Sequence, residues 1–425
     1  MRSANRLSAS EAARLMQRRE LSAEHLMRDC LARIEAREGE VRAFVHLDAE
    51  AALAQARALD AAPLRGPLHG LPLAVKDIFD TADQPTECGS PIFAGNRPRV
   101  DAAAVALCRE AGAIVIGKTV TTELANMTAG VTRHPLKPAH SPGGSSSGSA
   151  SAVADAMVPL ALGTQTAGSI VRPAAYCGVV GIKPSFGRVP RAGVKPNADS
   201  MDTVGGFGRT VADAALLASV LTGDARLRET PVPDTLRIGL APGPDWTQAS
   251  ADVASCWERT VRALVSVASR CEDASLPADF ADVAAVQGAI QAAETAQALA
   301  FEHRRHRAQL SEALLALLDR GQAIDAVTLA THRARAERWR REVDTLFDRH
   351  DVLLTPSATG EAPAGLAFTG DPVFCRPWSL LGLPCVHLPL GRGANGLPVG
   401  LQLVGRFGDD HRLLAAAQWV MQRLG

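Results

Sequence analysis

Residues 142–188 read PGGSSSGSASAVADAMVPLALGTQTAGSIVRPAAYCGVVGIKPSFGR, and the fold turns on whether these serines form a tether or a packed layer. Composition favours the tether, since six of the eleven residues in SPGGSSSGSAS (141–151) are serine and three are glycine. The flanks argue the other way. AIVIGKTV (113–120) lies before the serines, and MVPLAL (157–162) and VVGI (179–182) come after them. Short apolar runs bounded by turn residues are buried strands. SGSASAVADA and a segment around 169–176 fill the intervals at helical length. Strand and helix therefore alternate through the serines, and the expectation is an α/β sheet with helices on both faces.

The alternation extends outward. Ser8 with Glu11 makes a capping-box pattern, a second helix runs through SAEHLMRDCLARIEAR, and an alanine-rich third spans about 49–60. LPLAVKD (71–77) reads as a short strand, followed by a helix that Asp101 caps and Gly112 ends. Thr210 with Asp213 starts VADAALLASVL, and LRIGLA (236–241) opens a second half. Residues 249–347 have helical periodicity almost throughout. DVLLTP, CVHLPL and VGLQLV restore strands before a terminal helix at 410–424. With no repeat and no long linker, the expectation is one large domain over 1–425. Its parts are a core at about 65–225, a helical insertion at about 245–347, and C-terminal strands and helix at about 350–425.

Composition removes several classes. The chain has 425 residues, 47% of them apolar, and a formal net charge of zero. Without a basic surplus, neither nucleic acid nor an anionic membrane is an expected partner. The first twenty residues lack the apolar core of a signal peptide, and no apolar run approaches ~18 residues. The expected location is the cytoplasm. Eight cysteines stand apart without a CxxC pair, which reads as buried free thiols.

Three motifs compete for the chemistry. GAIVIGKT (Gly112 to Thr119) matches the phosphate-binding pattern GxxxxGK[ST]. Its middle residues are strand-like where that motif needs a loop, which counts against Lys118 as a phosphate ligand. GSSSG (Gly144 to Gly148) matches a nucleophile elbow centred on Ser146. An elbow needs a strand leading into it, and RHPLKPAHSPG is not one. The third arrangement joins two serine clusters, with Ser145 and Ser169 standing 24 residues apart. One helix and one strand between them would return the second cluster beside the first. Lys76 ends an apolar strand, and alternation sends Lys76 and Asp77 to opposite faces.

GLPLAVKDIFD, the 142–188 stretch, DVLLTPSATG and GLPVGLQLVG together resemble the amidase signature family. The resemblance covers most of the chain and is weakest across 245–345. It implies a mixed, twisted sheet covered by helices, and hydrolysis of a carboxamide C–N bond without metal or organic cofactor. It assigns Ser169 as nucleophile, Ser145 on a cis Gly144–Ser145 peptide as bridging serine, and Lys76 as base. The N–H groups of Thr166, Ala167, Gly168 and Ser169 would form the oxyanion hole. A small-molecule amide is the expected partner, with homodimerisation expected by analogy alone.

The chain departs from the pattern GTDTGGSIRxPA of many members, the glutaminase subunits of tRNA-dependent amidotransferases included. It reads GTQTAGSIVRPA (163–174), with Gln165 for aspartate, Ala167 for glycine, and the arginine three residues after the nucleophile. That arginine is similar to one in malonamidase-type members, so Arg172 is expected to grip the carboxylate of a small acid amide. An internal ion pair is the competing role for Arg172. Hydrolysis of glutamine within an amidotransferase is the competing function. His140 reads as a loop residue, His303 and His306 as a helix face, and Cys177 as packing.

Overall fold

A computed structural model describes residues 3–424. Among them, eleven strands form one sheet. They are β1 Phe44–Leu47, β2 Pro72–Lys76, β3 Ile114–Thr119, β4 Leu160–Gln165, β5 Val180–Lys183, β6 Thr203–Gly208, β7 Arg237–Leu240, β8 Arg270–Asp273, β9 Val352–Pro356, β10 Cys385–Arg392 and β11 Pro398–Val404. Their spatial order is β1-β3-β2-β4-β6-β5-β10-β11-β9-β7-β8. β2 runs parallel to both β3 and β4, and β7 to both β8 and β9. The central pairs β4–β6, β6–β5, β5–β10 and β10–β11 are antiparallel. The sheet is thus mixed, as the resemblance implied.

Alternation along the strands explains why both faces are covered. Leu354, Val386 and Leu403 join the helices Val211–Thr222, Ala251–Val265 and Asp410–Leu424 in one apolar cluster. Their chain neighbours Leu353, Cys385 and Val404 pack with Val283–Ala298 and Ala326–Asp344 in another. Successive strand residues point to opposite faces, so each face needs its own cover. Among the described residues, no helix is long and apolar enough to cross a membrane.

Local signals set many helix ends. The boxes Ser8/Glu11 and Thr210/Asp213 both form, each hydroxyl accepting from the third residue's N–H. Asp101 is a correction. Helix Ala103–Glu110 has Ala102 at its N-cap with no side-chain cap, while the Asp101 carboxylate accepts from Ala82 N–H at 2.8 Å and pairs with Arg109 at 3.0 Å. Those two partners hold its oxygens away from the helix N–H groups. Three strands escape the periodicity. β8, RCED, is a partly exposed edge with no apolar alternation, inside the stretch read as helical. β1 has four residues and one bulge. β6, TVGGFG, is rich in glycine and yet fully buried. A Cβ on Gly205 would strike the Ile182 carbonyl, and one on Gly206 the Ala161 carbonyl, so close approach explains the glycines.

Candidate active site

The site forms where the parallel strands β2 and β4 end, the crevice that α/β sheets commonly use. All of β2 is buried, so its last residue, Lys76, carries its amine into the interior with no exposed surface. Nζ donates to Ser145 Oγ at 2.7 Å and to Thr164 Oγ1 at 2.7 Å. No carboxylate lies within ion-pair distance of it among the described residues. Burial drives its pKa down to about 7, against an upward pull from Asp202 and then Cys88. Half of such an amine is neutral near neutral pH, which gives it the lone pair of a base. Asp77 turns the other way, as alternation predicts, and pairs with Lys118 at 3.1 Å. Lys118 lies within β3 and donates to Thr86 Oγ1 at 2.6 Å, so the phosphate-loop pattern is a strand with a buried ion pair.

The serine stretch is a tight loop entering helix Ser147–Ala154, not a tether. Gly143 and Gly144 both take left-handed conformations, with φ of 80° and 60°. A Cβ at Gly143 would overlap the Tyr176 ring, and one at Gly144 would lie 2.8 Å from Pro173 Cδ. Only glycine combines that backbone with that contact. The two residues press the loop against helix Val171–Cys177, beside Ser169.

The expected cis Gly144–Ser145 bond is corrected, since the described residues contain no cis peptide. Consecutive left-handed glycines make the turn with a trans bond. The geometry changes with it. Ser145 N–H donates to Ser169 Oγ at 3.3 Å, while Ser145 Oγ is held by Lys76. The structure brings all three residues together, and no hydrogen bond joins the two serine hydroxyls. Ser146 is fully buried, donating to Thr164 O at 3.3 Å and accepting from Thr164 N–H at 3.4 Å. It braces β4 and cannot meet a substrate.

Ser169 is half-buried at the turn between β4 and helix Val171–Cys177. Among the described residues, the backbone N–H groups of Thr166, Ala167, Gly168 and Ser169 have no protein acceptor. Thr166 Oγ1 donates to Asp202 at 2.6 Å, and Asp202 also accepts from Asn197 N–H at 2.7 Å. Thr164, Thr166, Asn197, Asp202 and Lys195 wall a cavity of about 150 Å³. Thr164, Asp202 and Ser379 are the residues sequence reading missed. Thr164 left one faint signal, a hydroxyl at the end of an otherwise apolar strand.

Arg172 is 5% exposed, and one guanidinium nitrogen donates to the Gly370 carbonyl. Its Nε has no partner, and no carboxylate lies within 4 Å of the group among the described residues. The internal ion pair that competed for Arg172 is therefore not formed. The segment 357–372, which carries Gly370, straps the serine loop. Pro363 O accepts from Ser141 N–H at 3.0 Å and Thr369 O from Gly144 N–H at 3.3 Å.

The other candidates are structural. Cys177 is buried with its thiol pushed up to about 12 by burial. Cys271 is half-buried, and the remaining seven cysteines are buried. A disulfide-exchange reagent should accordingly modify no more than one thiol in the native protein, and that one should be Cys271. Rapid reaction of two or more would contradict this packing. His303 is buried between Asp319 at 3.0 Å and Gln322 at 3.1 Å, not on the solvated face expected. His306 turns to Gln309 at 3.1 Å, so the two rings have separate partners. His140 lies in the loop against Ala364 and bonds to no serine.

The family model described as Amidase matches residues 25–414. The chain is 36% identical to a glutamyl-tRNA(Gln) amidotransferase subunit from Nitratidesulfovibrio vulgaris, over 96% of this chain and 94% of that protein. A crystal structure of an amidase superposes with a TM-score of 0.90 at 32% identity, covering 99% of this chain and 100% of that one. The native peptide amidase from Stenotrophomonas maltophilia gives a TM-score of 0.85 at 30% identity, covering 99% and 97%.

Proposed function

The chain belongs to the amidase family, enzymes that hydrolyse C–N bonds, and from that premise we propose that it hydrolyses a small carboxamide through an acyl-enzyme on Ser169. The observation that carries this reading is Lys76, a buried amine without a carboxylate partner among the described residues, 2.7 Å from the hydroxyl of Ser145. Neutral Lys76 takes the proton of Ser145 as Ser145 takes that of Ser169. The Ser145 backbone already touches Ser169 Oγ, so the relay needs only a small adjustment that brings Ser169 Oγ to Ser145 Oγ while Ser145 Oγ keeps its contact with Lys76. Ser169 Oγ attacks the amide carbon. The N–H groups of Thr166, Ala167, Gly168 and Ser169 receive the oxyanion. The proton held by Lys76 returns through Ser145 to the leaving amine. Water then repeats the sequence on the ester, releasing the carboxylate and Ser169.

The test is labelling with an alkyl fluorophosphonate, the modified peptide being mapped by mass spectrometry. Label on Ser169 is expected, and label on Ser146 would overturn the mechanism.

Arg172 points to the substrate class. A cation nine-tenths buried, with an unpartnered Nε, suits a ligand that brings its own carboxylate. We assign it to the carboxylate of an acid amide. Arg172→Met should raise KM for carboxylate-bearing amides by about 10- to 100-fold, the worth of a lost charge-assisted contact. Neutral amides should be nearly unaffected, and an equal rise for both would exclude this role.

One similarity favours a second reading, that of the glutamine-hydrolysing component of an amidotransferase. Glutamine is itself a carboxylate-bearing carboxamide, so it belongs in the same assay. Turnover of simple acid amides by the purified chain supports the independent amidase. Hydrolysis of glutamine alone, and only with a partner added, supports the amidotransferase component.

A further inference from the structure

Gln165 and Ser379 form a circuit behind the nucleophile that the mechanism above does not use. Gln165 is 1% exposed. Its Oε1 accepts from the N–H groups of Ile170 at 2.9 Å and Val171 at 3.0 Å. Two N–H groups on that side require the oxygen there, so the amide nitrogen faces Ser379. Nε2 donates to Ser379 Oγ at 2.9 Å, and Ser379 Oγ donates in turn to the Ala167 carbonyl at 2.7 Å. The circuit thus closes from one end of the 166–171 turn to the other, with Ser169 between.

Peptide planarity gives the circuit its consequence. In a trans peptide the C=O and the following N–H point in opposite directions. The Ala167 carbonyl is held toward Ser379, in the buried interior, so the Gly168 N–H points away from that interior. The Gly168 carbonyl accepts from Arg172 N–H at 3.0 Å, which fixes the Ser169 N–H in the same manner. Hydroxyl direction is the second part. Ser379 has one proton, and it reaches Ala167 because the partner at 165 is a donor. A carboxylate at 165 would take that proton and leave the Ala167–Gly168 peptide free to turn.

We infer that Gln165 and Ser379 are positioning residues that hold the oxyanion-binding N–H groups toward the substrate, a role resting on the proposed acyl-enzyme mechanism. The measurement is the rate of fluorophosphonate labelling of Ser169, with its end-point stoichiometry, across pH. Ser379→Ala and Gln165→Glu are each expected to slow labelling by about 10²-fold, the scale of one lost oxyanion donor. For Ser379→Ala the end point and the pH midpoint should stay at wild-type values, since that substitution adds no charge near Lys76 and leaves its partners in place. Ser379→Thr keeps the hydroxyl and should recover most of the rate. A Ser379→Ala rate within threefold of wild type overturns the clamp, as does a loss that tracks a lower end point. A wild type unlabelled at Ser169 instead overturns the nucleophile, and the clamp's role with it.

Discussion

Ser169→Ala is expected to lower kcat by at least about 10⁴-fold on any amide the wild type hydrolyses, the scale seen when a covalent nucleophile is removed. The depth of the loss follows from what surrounds the hydroxyl. Ser169 stands half-buried at the head of a helix, beside four N–H groups without acceptors among the described residues and within 3.3 Å of Ser145 N–H. Nearby serines have other employment. Ser146 is locked to both sides of the Thr164 peptide, and Ser149 donates to Leu162 O at 2.8 Å. Neither can replace Ser169, so the loss should be deep and Ser146→Ala should remain active. Substrate KM should change little, because the N–H groups and Arg172 stay in place. A Ser169→Ala enzyme that keeps a tenth of wild-type kcat would end the acyl-enzyme reading.

Lys76→Met carries the second large effect, and it has two readouts of opposite sign. Activity should fall by about 10³-fold or more, since no other base touches Ser145. In the wild type, kcat/KM should rise with pH through a midpoint near 7, where burial places the Lys76 pKa, and that limb should vanish in the variant. Stability should move the other way. Folded, the amine has a pKa of about 7 against 10.5 for the exposed side chain. Between these values the unfolded chain holds a proton that the native one lacks, so stability from this group rises with pH across the window. Below it both states are protonated, and the cost of burying the charge is present in full. Lys76→Met should therefore stabilise the fold at pH 6, by on the order of 1–3 kcal/mol after the lost hydrogen bonds are counted. The gain, read as a higher Tm, should shrink toward pH 10. A variant less stable at pH 6 would show that the amine is not the desolvated group described.

Alternation in the sequence carried the architecture as far as local rules reach. Apolar runs placed β2, β3, β4 and β5, and the Ser8 and Thr210 boxes marked helix starts, because such signals act within a few residues. β6 was silent since its glycines answer to carbonyls on β4 and β5, neighbours that no window includes. Asp101 looked like a cap and is held instead by Ala82 and Arg109. Lys76, Ser145 and Ser169 stood out through the family pattern, and the chain does gather them. Their linkage was less legible. A glycine pair permits a cis bond or a left-handed turn, and the sequence does not distinguish the two. Ser379 was out of reach, lying 212 residues from the carbonyl it holds.

That distance bears on how the protein is made. Lys76, Ser145 and Ser169 all leave the ribosome before residue 170, but the β5 edge stays unpaired until β10 arrives, with Ile182 facing Val386. At ~5–20 residues per second, roughly two hundred residues of synthesis leave that edge open for about 10–40 s. Unpaired edges recruit other strands, so nascent chains are most prone to aggregate in this interval. Stalling translation ahead of residue 357 would yield a chain that holds Lys76, Ser145 and Ser169 and lacks the strap and Ser379 that set them in order.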